Sequence, residues 1–400
     1  MNTIKDIISD NPIKETWKYL RFFLDVQATS EQICRMHNIS RDNNVKKQAI
    51  QLGYCIRQAE EYFQASAQVG LPTRPTLLYY GAVSLSQALI LLKKDGTHSF
   101  DALRKERRHR HHGLELVGEP NIKNPETFFS SLQCDIHTAK DGSPWGNFSL
   151  FYKSLTPGAT SIERYIYRKK KQKILNESSF LQGKSLIYYP DLPGIETLAS
   201  VRLNSLELLK TLPDMFHRLK DLGIEPNLCE GNVRLEATFH YEDEEAERDQ
   251  RWEKIQETFH FFLNRISPDQ KNNLLNWYKQ NNSLIEINAD YPTNLNLRLT
   301  IEYVDRNDTR YFLPDVVEDI YGQIYFILGP GNYAGELTGY LAILFCIGML
   351  SRYYPDIWMK AIDTNVQIAE LTDSFLNVAY RKFPNLILDQ MTAIKHHIHL

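Results

Sequence analysis

Residues 104–114, Arg104-Lys105-Glu106-Arg107-Arg108-His109-Arg110-His111-His112-Gly113-Leu114, place five cations and three imidazoles within nine positions. A ribonuclease that works without metal needs a base active near neutral pH and a cation that holds the phosphate. Imidazole and guanidinium suit those two tasks. In that chemistry Arg107 holds the scissile phosphate and His112 takes the proton. His109 and His111 are alternative bases, because spacing does not choose among the three. The run has a simpler use if it only grips phosphates, through Arg104, Arg108 and Arg110. It is simpler still as a solvated basic loop. Gly113 and the stretch Leu114-Glu115-Leu116-Val117-Gly118-Glu119-Pro120 predict a loop or short strand here.

The same histidines could offer imidazoles to a divalent ion. The neighbouring arginines repel a cation, however, and no carboxylate triad accompanies them, so no metal site is expected. The run His396-His397-Ile398-His399 is expected to be a polar chain end. Gly329-Pro330-Gly331-Asn332-Tyr333-Ala334-Gly335 has the outline of a dinucleotide loop. Its spacing is off by one residue, and Pro330 removes an N–H that a phosphate would use. With no P-loop, nucleophile elbow or HExxH, no cofactor is expected.

A second basic run, Arg168-Lys169-Lys170-Lys171-Gln172-Lys173, follows Tyr165 and Tyr167. Aromatics and cations in alternation can neutralise phosphates and stack on bases, so Lys169, Lys170 and Lys171 are candidate phosphate contacts. Arg352 sits among Tyr353, Tyr354 and Trp358, where it is expected to be paired or stacked, with Glu370 and Asp373 as plausible partners. The acidic stretch at Glu242 to Glu247 is expected to be a solvated helix start.

The whole chain bounds these possibilities. Its 400 residues carry a net charge of −3, so any nucleic-acid contact must be a local patch. With 42% hydrophobic residues there is material for one large core or several smaller ones. The five cysteines are scattered and include no CxxC, which points to buried reduced thiols. The first residues lack a signal-peptide layout. The longest apolar run, near Tyr340 to Leu350, is about 11 residues, short of the ~20 that span a bilayer. A cytoplasmic protein with no membrane partner is expected.

Helical periodicity marks Ser9–Met36, Asn43–Gln68 and Thr76–Leu92, the last apolar enough for the centre of a bundle. Ser161–Asn176 is expected to be a basic helix and Glu244–Gln280 a charged amphipathic one. Two-residue alternation predicts strands at Lys184–Tyr189, Val233–Tyr241, Leu284–Ala289, Leu295–Val304 and Ile324–Leu328. Helical spacing returns from Glu336. The expected fold is α+β and predominantly helical, with helical bundles at both ends around a mixed α/β centre. A bundle over 1–124 leads to a mixed centre over 125–330. A helical unit over 331–400 then packs back on the first bundle.

Two segments resemble the YaaC-like family. One is Arg74-Pro75-Thr76-Leu77-Leu78-Tyr79-Tyr80-Gly81, continuing through Leu85 and Ala88 to Leu91-Leu92, where the family has a Pro, an apolar pair, an aromatic-Tyr-Gly and a Leu/Ala helix, then a His-Gly and basic cluster. The other is Met349-Leu350-Ser351-Arg352-Tyr353-Tyr354-Pro355-Asp356-Ile357-Trp358, and Arg381-Lys382-Phe383-Pro384-Asn385-Leu386 resembles the family's closing segment. The N-terminal helices are more distantly similar to HEPN-type bundles, whose signature is an Arg followed four to six residues later by a His. Arg107 with His112 has that spacing, as does Arg104 with His109. That second resemblance implies a nucleic-acid-associated accessory or effector protein of a prokaryotic defence or stress system, with antiviral roles common in such bundles. RNA or DNA is then the expected partner. A non-catalytic scaffold binding a partner protein or a second copy is the alternative, and a metal-independent ribonuclease built on a dimer is a further one.

Overall fold

The computed structural model describes residues 3–95, 98–105, 111–170, 173–174, 181–188, 192–242, 246, 253–281, 285–290, 294–303, 316–328 and 335–399. The chain opens with β1 (Thr3–Ile8), α1 (Pro12–Leu20), α2 (Val26–His37), α3 (Asn43–Ser66), α4 (Arg74–Leu92) and α5 (Phe100–Lys105). Short elements follow: β2 (Leu114–Val117), α6 (Pro125–Ser131), β3 (Gln133–Ile136) and α7 (Asn147–Tyr152). Then come β4 (Ala159–Lys170), β5 (Lys173–Ile174), β6 (Leu181–Tyr188), α8 (Ile195–Ala199), β7 (Leu203–Asn204), α9 (Ser205–Lys210) and α10 (Phe216–Asp221). β8 (Leu228–Tyr241), β9 (Lys254–Asn264), α11 (Pro268–Asn281), β10 (Ile285–Asp290), β11 (Asn294–Tyr303), β12 (Val316–Glu318) and β13 (Ile324–Ile327) lead into α12 (Glu336–Tyr353), α13 (Pro355–Thr364), α14 (Val366–Thr392) and β14 (Ile394–His399). The fold is α+β and mostly helical, with helices towards both ends.

Two compact units result. One combines Met1–Pro157, Asp191–Pro226 and Asn332–Leu400; the other combines Gly158–Pro190 and Asn227–Gly331. Residues 125–157 and 191–226 therefore fold with the helices rather than with the sheet.

In the helical unit, local signals set the helix starts. Asn11 accepts from Lys14 N with Pro12 in the first turn; Asp25 accepts from Gln27 N and Ala28 N; Asp42 accepts from Val45 N. α4 and α12 lack a polar side, and such helices must be covered all round. α4 packs against α3, α7, α12 and α14, and α12 is buried from Glu336 to Leu350. α4 is long and apolar enough to cross a membrane, yet 72% of that span is buried inside the unit. At Gly81 the α3–α4 approach is so close that a Cβ would lie 2.6 Å from the Phe63 ring. The chain ends meet as well: β1 pairs in parallel with β14, Thr3 opposite Ile394. The expected polar chain end is thus corrected. His396 is buried, with its N–H and Nδ1 both on Asp389 Oδ1 at 2.9 and 2.8 Å.

The other unit is built on a sheet of nine strands among the described residues. Its main path runs β10-β11-β9-β8-β13-β12, and β4 pairs with β8, β6 and β5. One face buries Ile162, Val233, Leu235, Phe259, Phe261, Leu297 and Leu299, together with Leu274 of α11. One expected helix is a strand and another is a strand in its first half only. Ser161–Asn176 begins as β4, because alternating Ile162 and the β-branched and aromatic residues around it suit a pleated half-buried surface. Glu244–Gln280 contains β9 before α11. There Ile255, Glu257, Phe259, Phe261 and Leu263 alternate inward, a period hidden by the near-continuous Phe259-His260-Phe261-Phe262-Leu263. Of the expected acidic helix start, Asp243, Glu244, Glu245 and Glu247 lie outside the described residues, as do 329–334 of the glycine-rich turn.

Candidate functional site

The basic run ends at a backbone crossing. Gly113 and Gly146 both adopt positive φ, +85° and +97°, and a Cβ on Gly146 would sit 2.5 Å from Gly113 Cα. Only glycine fits such a contact in that conformation. Around it, Asn147 N donates to His111 O at 3.0 Å and Phe148 N to His112 O at 2.9 Å. His137 N donates to Gly113 O, and Trp145 N to His137 O, both at 3.0 Å. Residues 111–113 are thereby tied to β3 and to the start of α7, which gives the two imidazoles fixed positions. Arg107, Arg108, His109 and Arg110 lie outside the described residues, as does the side chain of Arg104.

His112 turns inward. Its Nδ1 lies 2.8 Å from the Tyr79 hydroxyl, which α4 presents from an almost wholly buried ring. Burial, and secondarily the nearby His111, hold the His112 imidazolium below the ordinary histidine range, so the ring is neutral at pH 7. Burial likewise pushes the Tyr79 phenol far up and keeps its proton on. The two rings bound a narrow cleft whose wall is the least buried stripe of α4, Val83 and Gln87, faced by Asn147 and Leu341.

His111 turns outward. It is exposed and parallel to His137 at 6.0 Å, and Trp145 stands edge-on to both imidazoles at 4.8 and 4.6 Å. Glu115 Oε2 is 3.9 Å from His137 Nδ1. No group of three or more metal-ligating side chains occurs among the described residues.

Tyr80, next along α4, extends the cluster towards solvent. Its centroid is 5.4 Å from Tyr79, 6.2 Å from His112 and 6.0 Å from Tyr62. Above it is Arg352, with Cζ 5.4 Å from the Tyr80 ring and 4.9 Å from Tyr353. The expected carboxylate partners of Arg352 are engaged elsewhere: Glu370 holds Arg218 at 2.8 Å and Asp373 holds Arg74 at 3.0 Å. Among the described residues no carboxylate pairs with Arg352, which is stacked on rings and exposed. Its backbone is set by the α12–α13 corner. There Ser351 Oγ and Trp358 Nε1 both donate to Pro72 O, at 2.9 and 3.2 Å, and Ser351 Oγ also meets Thr76 Oγ1 at 3.0 Å.

The second basic run belongs to the sheet unit. Lys169 and Lys170 stand on β4 opposite His240 and Tyr241, and Lys171 lies outside the described residues. Several described charges on that sheet pair with one another: Arg234 with Glu236 at 3.0 Å, Arg164 with Glu257 at 3.2 Å, Lys254 with Glu302 at 3.3 Å. Arg234 also covers the Tyr165 ring at 4.1 Å.

Of the residues singled out by type, His112 and Arg352 come together across Tyr80 in the helical unit, while His111 faces His137 and Trp145. Glu115, His137 and Trp145 were not candidates; the only signal for them was the pair of glycines, Gly113 and Gly146, that bring their segments together. No curated protein and no solved structure matches the chain significantly. The model of the family described as YaaC-like Protein matches residues 24–391, a span that contains Tyr79, Tyr80, His112 and Arg352, and the chain belongs to that family.

Proposed function

We propose that the protein is a nucleic-acid-associated accessory or effector protein, whose contact surface includes the Tyr80–Arg352 cluster and His112, the last histidine of the basic run. The observation that carries this reading is Arg352, an exposed guanidinium stacked on Tyr80 and Tyr353 with no carboxylate among the described residues to neutralise it. A cation with no carboxylate beside it attracts phosphate, and the rings beneath it suit bases. A role in prokaryotic defence or stress follows from the HEPN resemblance alone.

Filter binding of RNA and DNA across a salt series tests the reading. Affinity should fall steeply as salt rises, because each phosphate contact releases counterions. An absence of binding at low salt removes the reading and leaves a non-catalytic scaffold with a protein partner.

A second reading, a metal-independent ribonuclease, is favoured by the neutral imidazole of His112 close to the arginine-rich run. His112 would be the base and Arg107 the phosphate holder. Cleavage that survives EDTA and disappears in both His112→Ala and Arg107→Ala would support it; intact RNA with wild type would end it.

A further inference from the structure

We infer that Arg352 with Tyr353, Tyr354 and Tyr80 forms a subsite for an unstacked nucleotide, so that the protein prefers single-stranded nucleic acid to duplex. This rests on the nucleic-acid reading above and adds to it the form of the ligand.

Three observations carry it. First, Arg352 is set apart in its unit by its rings. Arg21, Arg74, Arg202 and Arg218 each hold a carboxylate and the exposed Arg35, Arg41, Arg57 and Arg381 lie on no ring among the described residues, whereas Arg352 lies over two tyrosine rings. A guanidinium lying over rings keeps its N–H edge available for phosphate oxygens. Second, the aromatic surface there is open: Tyr353 is 58% exposed and Tyr354 48%. A duplex hides its base faces and offers mainly phosphates and groove edges. An exposed tyrosine face gains little from it and much from a splayed base. Third, the platform is held rigidly. Ser351 and Trp358, on either side of the tyrosine pair, are both anchored on Pro72 O, so ordering the site costs little on binding.

Ligand recognition follows from those parts. Arg352 takes a phosphate, an exposed tyrosine takes the base, and the strand continues over Tyr80 towards His112. Nothing in this chemistry reads a 2′-hydroxyl, so single strands of RNA and DNA share the site.

The test is fluorescence anisotropy on the full chain at low salt. The probes are labelled RNA and DNA strands of about twelve nucleotides and the duplex of the same sequence. Single strands should bind about tenfold tighter than duplex, the scale of one base stacked on an aromatic ring. Arg352→Met and Tyr353→Ala should each bring single-strand affinity down to that of duplex and so abolish the preference, while Arg352→Lys, which keeps the charge and loses the flat face, retains part of it. Both positions are exposed, and matching thermal transitions exclude misfolding. Equal affinity for strands and duplex, or a preference untouched by Arg352→Met, overturns the subsite and leaves the salt-dependent contact standing. No binding to any probe overturns both, and binding of an acidic peptide in their place assigns the patch to a protein partner.

Discussion

Tyr79 Oη lies 2.8 Å from Nδ1 of His112, joining the apolar helix α4 to the last histidine of the basic run. The contact couples a protonated phenol to a neutral imidazole, since burial disfavours the charged form of each.

A pH dependence follows. His112 binds its proton less readily when folded than at its ordinary value of 6.5. Below that value the unfolded chain takes up a proton that the folded chain refuses, so stability is highest above about pH 6.5 and falls as pH is lowered. His112→Asn keeps an acceptor near the Nδ1 position and removes the titration. Its loss of stability between about pH 6.5 and 5 should be shallower than that of wild type in urea unfolding. Parallel curves for the two proteins would show that His112 is not the group responsible.

Gly146→Ala should be strongly destabilising. Its φ of +97° already costs a side-chain-bearing residue, and the new Cβ would press on Gly113 Cα at 2.5 Å. Roughly 2–4 kcal/mol is expected from strain and overlap together. Gly142→Ala is the control: it too has positive φ, 80°, but its Cβ would meet nothing within 4 Å. Denaturant midpoints would decide the point, and an equal loss for the two variants would mean that the crossing is not tightly packed.

Lys382 on α14 is buried between Asp214, at 2.5 Å, and Glu336, at 2.7 Å, with both carboxylates also buried. Lys382→Met fills the space and leaves two negative charges without their cation. A loss of about 3–5 kcal/mol at pH 7 is the usual scale for such a break. Burial already pushes the Glu336 carboxyl up, and without Lys382 it rises further. The variant should therefore recover part of its deficit as pH falls towards 5, when a carboxyl takes up a proton. A deficit that is constant with pH would contradict this account.

Much of the helical unit was legible because its helices obey one period. α3 and α4 end within two residues of their expected ends, and strands β8, β10, β11 and β13 fall where alternation puts them. β4 was lost because its lysine-rich end looks like a solvated helix face, and β9 because consecutive phenylalanines hide which ones point inward. β1 and β14 had no local signal: each is short, and each is stabilised by a partner at the opposite end of the sequence. The site followed the same division. His112 and Arg352 stood out by residue type. Their linkage through Tyr79 and Tyr80 depends on how α12 lies against α4, and that approach is made at Gly348, where a Cβ would lie 3.1 Å from the Tyr79 side chain.

The pairing of β1 with β14 bears on the order in which the protein can be made. Synthesis delivers the sheet unit's last strand, β13, before α12, α14 and β14 exist, so every described strand of that sheet can be paired while the helical unit still lacks them. Until then α4 has α3 and α7 beside it but not α12 or α14, and its apolar surface stays open. The first helices must therefore wait, with a sticky face, until residues 336–400 are made. On the ribosome the longest-lived vulnerable species is a finished sheet unit joined to an open helical half, and that is the form a chaperone would meet.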